Sequence, residues 1–199
     1  WMLATCSLSD LSLVLEAIGA PAYALDLTTG VPRLLAANQR YLVGQSGRLA
    51  ENFFRKELLQ DFRAEVLVIN KTPVHTPKTA ELALLRRLDS SGAVERLLEE
   101  SQRWMAGFAR SLHRALGVSV WISGRSELKR RGIFAPWFEE ISRLYGDAPE
   151  KDRAELLVFN HFSMNQFAIE LARKRNPGAP LEDELARIGS ENRKAIFGF

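Results

Sequence analysis

Val118-Ser119-Val120-Trp121-Ile122-Ser123 is the stretch whose reading decides the fold class. Its alternation and its β-branched residues are those of a strand. It follows directly on residues 93 to 116, where Val94, Leu97, Leu98, Trp104, Met105, Phe108, Leu112 and Leu116 recur at helical spacing before Gly117. A strand fed by a long amphipathic helix makes the chain mixed rather than all-helical.

Upstream, Glu65-Val66-Leu67-Val68-Ile69-Asn70 is a second strand candidate, closed by Thr72-Pro73. Residues 22 to 27 and 33 to 37 are two more, separated by the turn-forming Thr28-Thr29-Gly30-Val31-Pro32. The expected architecture is α+β: a small, mainly antiparallel sheet from residues 22 to 37, 65 to 70 and 118 to 123, covered by helices that dominate the C-terminal half. Residues 1 to 75 and 76 to 199 form its two segments, packed as one globular unit, with Asn70 to Thr76 as the loosest joint.

Helix signals are frequent. Ser9 and Gly19 bracket a helix over 10 to 18, and Asn52 is read as the cap of a helix over 53 to 63. Thr76-Pro77 opens one carrying Leu82, Leu85 and Leu88, Pro136 opens one that ends at Tyr145-Gly146, and Pro149 starts another running toward Phe159. Ser163 and Gln166 have capping-box spacing ahead of a helix to Lys174 or Arg175. A last helix over 181 to 188 is expected to stop at Gly189, and the apolar Ala195-Ile196-Phe197-Gly198-Phe199 is expected to dock on the fold or across a dimer.

With 27 basic against 24 acidic side chains, the net charge of +3 does not by itself define a nucleic-acid surface. The longest apolar runs fall short of the roughly 18 residues of a membrane span, and Trp1 to Cys6 lack the pattern of a signal peptide, so a cytoplasmic protein is expected. A single cysteine, Cys6, excludes an internal disulfide framework, and His75, His113 and His161 lie too far apart in sequence to suggest a metal site. Nucleophile-elbow, P-loop and dinucleotide-binding signatures are missing, and the sequence specifies no cofactor.

Three groups of residues have chemical potential. Phe159 to Phe167 sets polar groups among aromatics, with His161 and Asn160 placed to act as acid/base and hydrogen-bonding groups; Ser163, Gln166 and the phenylalanines also have a plain structural reading as cap and core. Arg125, Lys129, Arg130 and Arg131 form a basic group suited to phosphates, against the simpler reading of a solvated surface; residues 152 to 162 and 163 to 175 have a helix-turn-helix layout. Trp104 and Trp121 are candidates for lining a small-molecule cavity, against the simpler reading that they are core.

The stretch from Leu15 to Asp26, with Thr28-Thr29-Gly30 and Leu34-Leu35-Ala36-Ala37-Asn38, resembles the opening of a PAS sensory domain over residues 11 to 47. That resemblance implies a sensory or regulatory module that binds a small ligand, or dimerises or meets a protein partner, and passes on a conformational change. Asn38 matches the position after the second strand. The alternatives are a small enzyme using His161 and Asn160, and a helical regulator that binds nucleic acid or protein.

Overall fold

Two of the strands, Val66–Ile69 and Leu156–Phe159, are apolar runs buried throughout. The computed structural model describes residues 2–5, 45–58, 66–72 and 79–199. Its strands are β1 (Met2–Thr5), β2 (Val66–Ile69), β3 (Val120–Ser123) and β4 (Leu156–Phe159). They form one sheet in the order β2-β1-β3-β4. β1 pairs antiparallel with both β2 and β3, aligning Met2 with Ile69 and Ile122, whereas β3 and β4 run parallel, aligning Val120 with Leu156. β2, β3 and β4 therefore point the same way and end at one common edge, the carboxyl edge.

The helices are α1 (Gln45–Glu57), α2 (Thr79–Leu88), α3 (Ala93–Leu116), α4 (Ala135–Gly146), α5 (Glu150–Ala154), α6 (Gln166–Lys174) and α7 (Leu181–Phe197). Strand alternation divides the core in two. Leu67, Ile69, Val120, Ile122, Leu156 and Val158 face α3 and α4, where Phe108, Leu112, Trp137 and Ile141 meet them. Val66, Val68, Leu157 and Phe159 face α1, α6 and α7, against Phe54, Phe167, Leu185 and Ile188. The sheet is thus sandwiched between two helical layers, which explains why β2 and β4 are apolar without interruption.

The mixed, helix-rich class is as the sequence implies, and strands at 66–69 and 120–123 lie where expected. The sheet itself needs correction. Its β3–β4 pair is parallel, so its expected antiparallel character does not hold throughout, and β4 occupies residues assigned to a helix running from Pro149. That helix ends at Ala154, and a strand inside 152–162 removes the helix-turn-helix. The strand candidates at 22–27 and 33–37, the helix at 10–18 and the residues carrying the PAS resemblance up to position 44 lie outside the described residues.

Several helix boundaries also change. Asn52 lies within α1, exposed, rather than at its start. Of the three α2 leucines only Leu82 is buried; Leu85 and Leu88 face solvent, as does Leu97 on α3. α3 and α4 keep their expected spans, and Asp89 steadies the start of α3 by accepting the Val94 N–H at 2.6 Å. α7 runs straight through Gly189. A Cβ there would lie 2.7 Å from Leu157 Cβ and 2.9 Å from Phe159 Cζ, so this glycine is a contact point with β4 and not a helix stop. The apolar tail packs on the fold, with Phe197 stacked 5.1 Å from Phe138.

Candidate functional site

At the carboxyl edge the chain leaves β2, β3 and β4 within a short distance of one another. Lys71 follows β2 on the α3/α4 side, Gly124 follows β3, and His161 follows β4. Gly124 adopts φ +100°, a conformation that favours glycine, and its N–H donates to Phe159 O at 2.9 Å, tying the ends of β3 and β4 together. A Cβ at Gly124 would lie 3.6 Å from His161 Cδ2 and 3.7 Å from Lys71 Nζ. The ammonium and the imidazole thus wall the same methyl-sized space.

Lys71 is 8% exposed. Its Nζ donates to Ser123 O at 3.4 Å and lies 5.2 Å from the Phe134 ring centroid and 5.6 Å from that of Trp137. Among the described residues no carboxylate forms an ion pair with it. Burial pushes its pKa down to about 8, and the field of Glu127 only partly opposes that fall. Ser123, 2% exposed, adds a hydroxyl with no hydrogen-bond partner.

His161 Nδ1 accepts the Ser163 N–H at 3.0 Å and lies 2.8 Å from Ser163 Oγ, which donates to it. The neutral ring therefore carries its proton on Nε2. Burial, chiefly, and the nearby Lys71 ammonium hold its pKa down at about 4, so it is neutral at ordinary pH. This bond also corrects the capping box: Ser163 serves His161, Met164 and Asn165 take positive φ, and α6 begins at Gln166 without a side-chain cap. Asn160, the other residue proposed for acid/base chemistry, contributes its backbone N–H to Glu170 at 2.9 Å.

That Glu170 is the centre of a buried polar network on the α6/α7 side. It accepts from Asn192 Nδ2 at 3.0 Å and pairs with Arg125 and Lys174, each at 3.3 Å, while Asn192 Nδ2 also donates to Val158 O at 2.8 Å. Arg125 is thereby engaged beneath the edge, apart from Lys129, Arg130 and Arg131, which are exposed on the segment leading to α4. Arg131 lines a cleft of about 400 Å³ between α2, α3 and α4, where Arg86 and Arg103 are matched by Glu95, Glu99 and Glu139. The four basic residues do not form a single phosphate-binding face.

Trp104 and Trp121 are also separated. Trp104 stacks on Phe108 at 5.1 Å in the α3/α4 layer, whereas Trp121 lies across the sheet with Phe159 at 4.6 Å and Phe54 at 5.1 Å. The two indoles cannot line one cavity. Asn38 lies outside the described residues.

The opposite edge holds a polar cluster that sequence reading missed. His113, 1% exposed, has Nδ1 2.8 Å from the Tyr145 hydroxyl and Nε2 2.9 Å from Glu155, immediately before β4. Arg110 pairs with Asp152 at 2.5 Å and covers the Tyr145 ring at 4.6 Å. Burial raises the Tyr145 pKa and keeps its hydroxyl protonated; Arg110 Nη1, which can only donate, also lies 3.4 Å from Nδ1, so Nδ1 accepts, the hydroxyl donates to it and Nε2–H is left for Glu155. The one available signal was His113 in the last turn of a helix, which identifies no partner.

The described geometry defines a three-layer α/β protein with a lysine-centred site at the carboxyl edge of its sheet. No protein-family model, curated protein or solved structure matches the chain. Among the described residues no helix is long and apolar enough to cross a membrane, and no His, Cys, Asp and Glu side chains are grouped to hold a metal ion.

Proposed function

We propose that this protein is a sensory or regulatory module that binds a small, negatively charged ligand at the carboxyl edge of its sheet. The observation that carries this reading is the Lys71 ammonium, buried between two aromatic rings without a carboxylate partner among the described residues. Such a charge costs folding free energy, and a carboxylate or phosphate brought to it supplies the missing counter-charge. The carboxyl ends of parallel strands are also the usual ligand position in α/β sheets. Ligand-driven ordering around Lys71 would pass to α4 through Phe134 and Trp137.

A second reading is an enzyme acting at the same edge. It is favoured by His161 and Lys71 walling one space, with Lys71 replacing Asn160 as the partner of His161. In that reading the neutral imidazole orients the substrate and the lysine carries the acid/base role near neutral pH.

Native mass spectrometry of the protein purified from its own host, compared with its denatured mass, tests the proposal. A retained acidic small molecule, absent from Lys71→Met, is the expected result. A ligand retained equally by both proteins would overturn the Lys71 site, as would a ligand-free protein that small carboxylates and phosphates fail to stabilise. Turnover of the identified compound would favour the enzyme.

A further inference from the structure

An amine is a nucleophile as well as a charge, and Lys71 presents its Nζ to an open space. Gly124 makes that space. With φ at +100° the position favours glycine, and a carbon placed where a side chain would begin lies 3.7 Å from Lys71 Nζ and 3.6 Å from His161 Cδ2, ordinary van der Waals distances. A single carbon thus has room against the amine on one side and the imidazole on the other. Cδ2 is bonded to Nε2, the nitrogen that carries the ring proton.

The surroundings of Nζ suit a cationic nitrogen that carries few protons. As an ammonium it has three N–H donors, and among the described residues only Ser123 O, at 3.4 Å, accepts one. The Phe134 and Trp137 ring centroids lie 5.2 Å and 5.6 Å away, and aromatic faces attract positive charge. A protonated imine keeps the charge that the rings attract and has one N–H for the one carbonyl. Burial also brings the lysine pKa down to about 8 against the field of Glu127, so near neutral pH Lys71 offers more free amine than an ordinary lysine.

We infer that Lys71 captures a 2-oxo acid as a Schiff base, an inference that rests on the acidic ligand proposed above for the carboxyl edge and names its class. The Nζ lone pair forms a bond to the carbonyl carbon, and the carbonyl π pair takes up a proton. The hydroxyl of that carbinolamine then leaves as water while the nitrogen pair closes the C=N bond. The net change turns an ammonium and a ketone into a protonated imine and one water, with no oxidant or reductant. The carboxylate beside the imine carbon supplies the counter-charge that the fold does not place against Nζ. A simple aldehyde would form the imine but bring no such charge.

Incubation of the full chain at pH 7 with pyruvate and sodium cyanoborohydride, which reduces an imine to a stable secondary amine, followed by peptide mass spectrometry, tests it. The expected result is an adduct on Lys71 that forms at least about tenfold faster than on the exposed Lys129, Lys151 and Lys194. Lys71→Met should show only the background on the exposed lysines. An adduct no more frequent on Lys71 than on those residues overturns the inference. Thermal unfolding with lactate, which has the carboxylate but no carbonyl, separates that failure from failure of the acidic-ligand site. If lactate raises Tm saturably in the wild type and not in Lys71→Met while Lys71 stays unmodified by pyruvate, the Schiff base falls and the anion site stands. If neither acid changes Tm and no adduct forms, both fall.

Discussion

At the amino edge of β4, His113 has a partner on each ring nitrogen, and Arg110 beside it faces Asp152. At the carboxyl edge, Lys71 is also buried, but among the described residues its ammonium meets one carbonyl and two aromatic faces. Both places bury charge or polarity in an apolar sandwich. The first satisfies it within the fold, tying α3 to α4 and to the start of β4, so its work is structural. The second leaves a cation without an ion pair among the described residues and only partly offset by the field of Glu127, which stability alone gives little reason to retain. Substitutions at the two edges should therefore change stability with opposite signs.

The largest effect is expected at the amino edge. His113→Ala removes a ring from a fully packed position and leaves the Tyr145 hydroxyl and Glu155 without their shared partner, at a cost of about 4 kcal/mol. Urea denaturation measures it directly. A loss below about 1 kcal/mol would mean that the cluster is not the structural tie described, and the contrast between the edges would fail.

Lys71→Met should go the other way. Methionine has similar length and suits an aromatic slot, and it relieves the displacement of the lysine pKa from 10.5 to about 8, equivalent to about 3 kcal/mol. That figure is an upper bound for the gain. The sign with pH follows from proton binding: below about 8 both folded and unfolded lysine are charged and the full cost is present. Between about 8 and 10.5 the unfolded chain holds the proton more tightly, so wild-type stability rises with pH and the advantage of the variant disappears. Unfolding free energies at pH 7 and pH 10 check both claims. A destabilised Lys71→Met would make Lys71 a structural cation and remove the ground for a ligand there.

Between the edges lies the contact that seats α7 on β4. Gly189→Ala brings a methyl group to 2.7 Å from Leu157 Cβ and 2.9 Å from Phe159 Cζ. Overpacking of this kind costs about 1–3 kcal/mol, offset by up to about 1 kcal/mol of helix propensity. A net loss of about 1 kcal/mol is expected by thermal unfolding. A stabilised variant would show that α7 can shift on β4, and with it the Asn192 and Glu170 network under the carboxyl edge.

Gly189 also shows where sequence reading lost information. A glycine in a polar stretch looks the same whether it ends a helix or lets a strand approach, and only packing tells the two apart. Leu156-Leu157-Val158-Phe159 was hidden for a related reason. Buried on both faces, it has no alternation, and it follows a proline that opens a genuine but short helix. By contrast, α3, β3 and α4 were legible because each has one period and a clear end signal. For the candidate site, His161 stood out through its aromatic neighbours. Lys71 did not, because its burial is made by Phe134 and Trp137, more than sixty positions away. Trp104 and Trp121 looked alike as indoles, yet helix and strand geometry send them to opposite sides of the sheet.

The smallest effect concerns acid, and it completes the contrast. The Arg110 guanidinium hydrogen-bonded to Asp152 holds that carboxyl below its ordinary value, with the charge of Arg110 adding to the effect. A carboxylate whose folded pKa is depressed contributes stability above its unfolded pKa and loses it as pH falls through the folded one. Asp152 should therefore support the amino edge at neutral pH and release it below about pH 4, a range in which Lys71 is fully protonated, folded or unfolded, and contributes no slope. Asp152→Asn should lower stability modestly at pH 7 and flatten the decline toward pH 2, leaving the rise between pH 8 and 10.5 untouched. Lys71→Met should flatten that alkaline rise and leave the acid limb as it was. If either substitution altered both limbs, the two edges would be coupled through β4, and a charge bound at Lys71 would then be felt at His113.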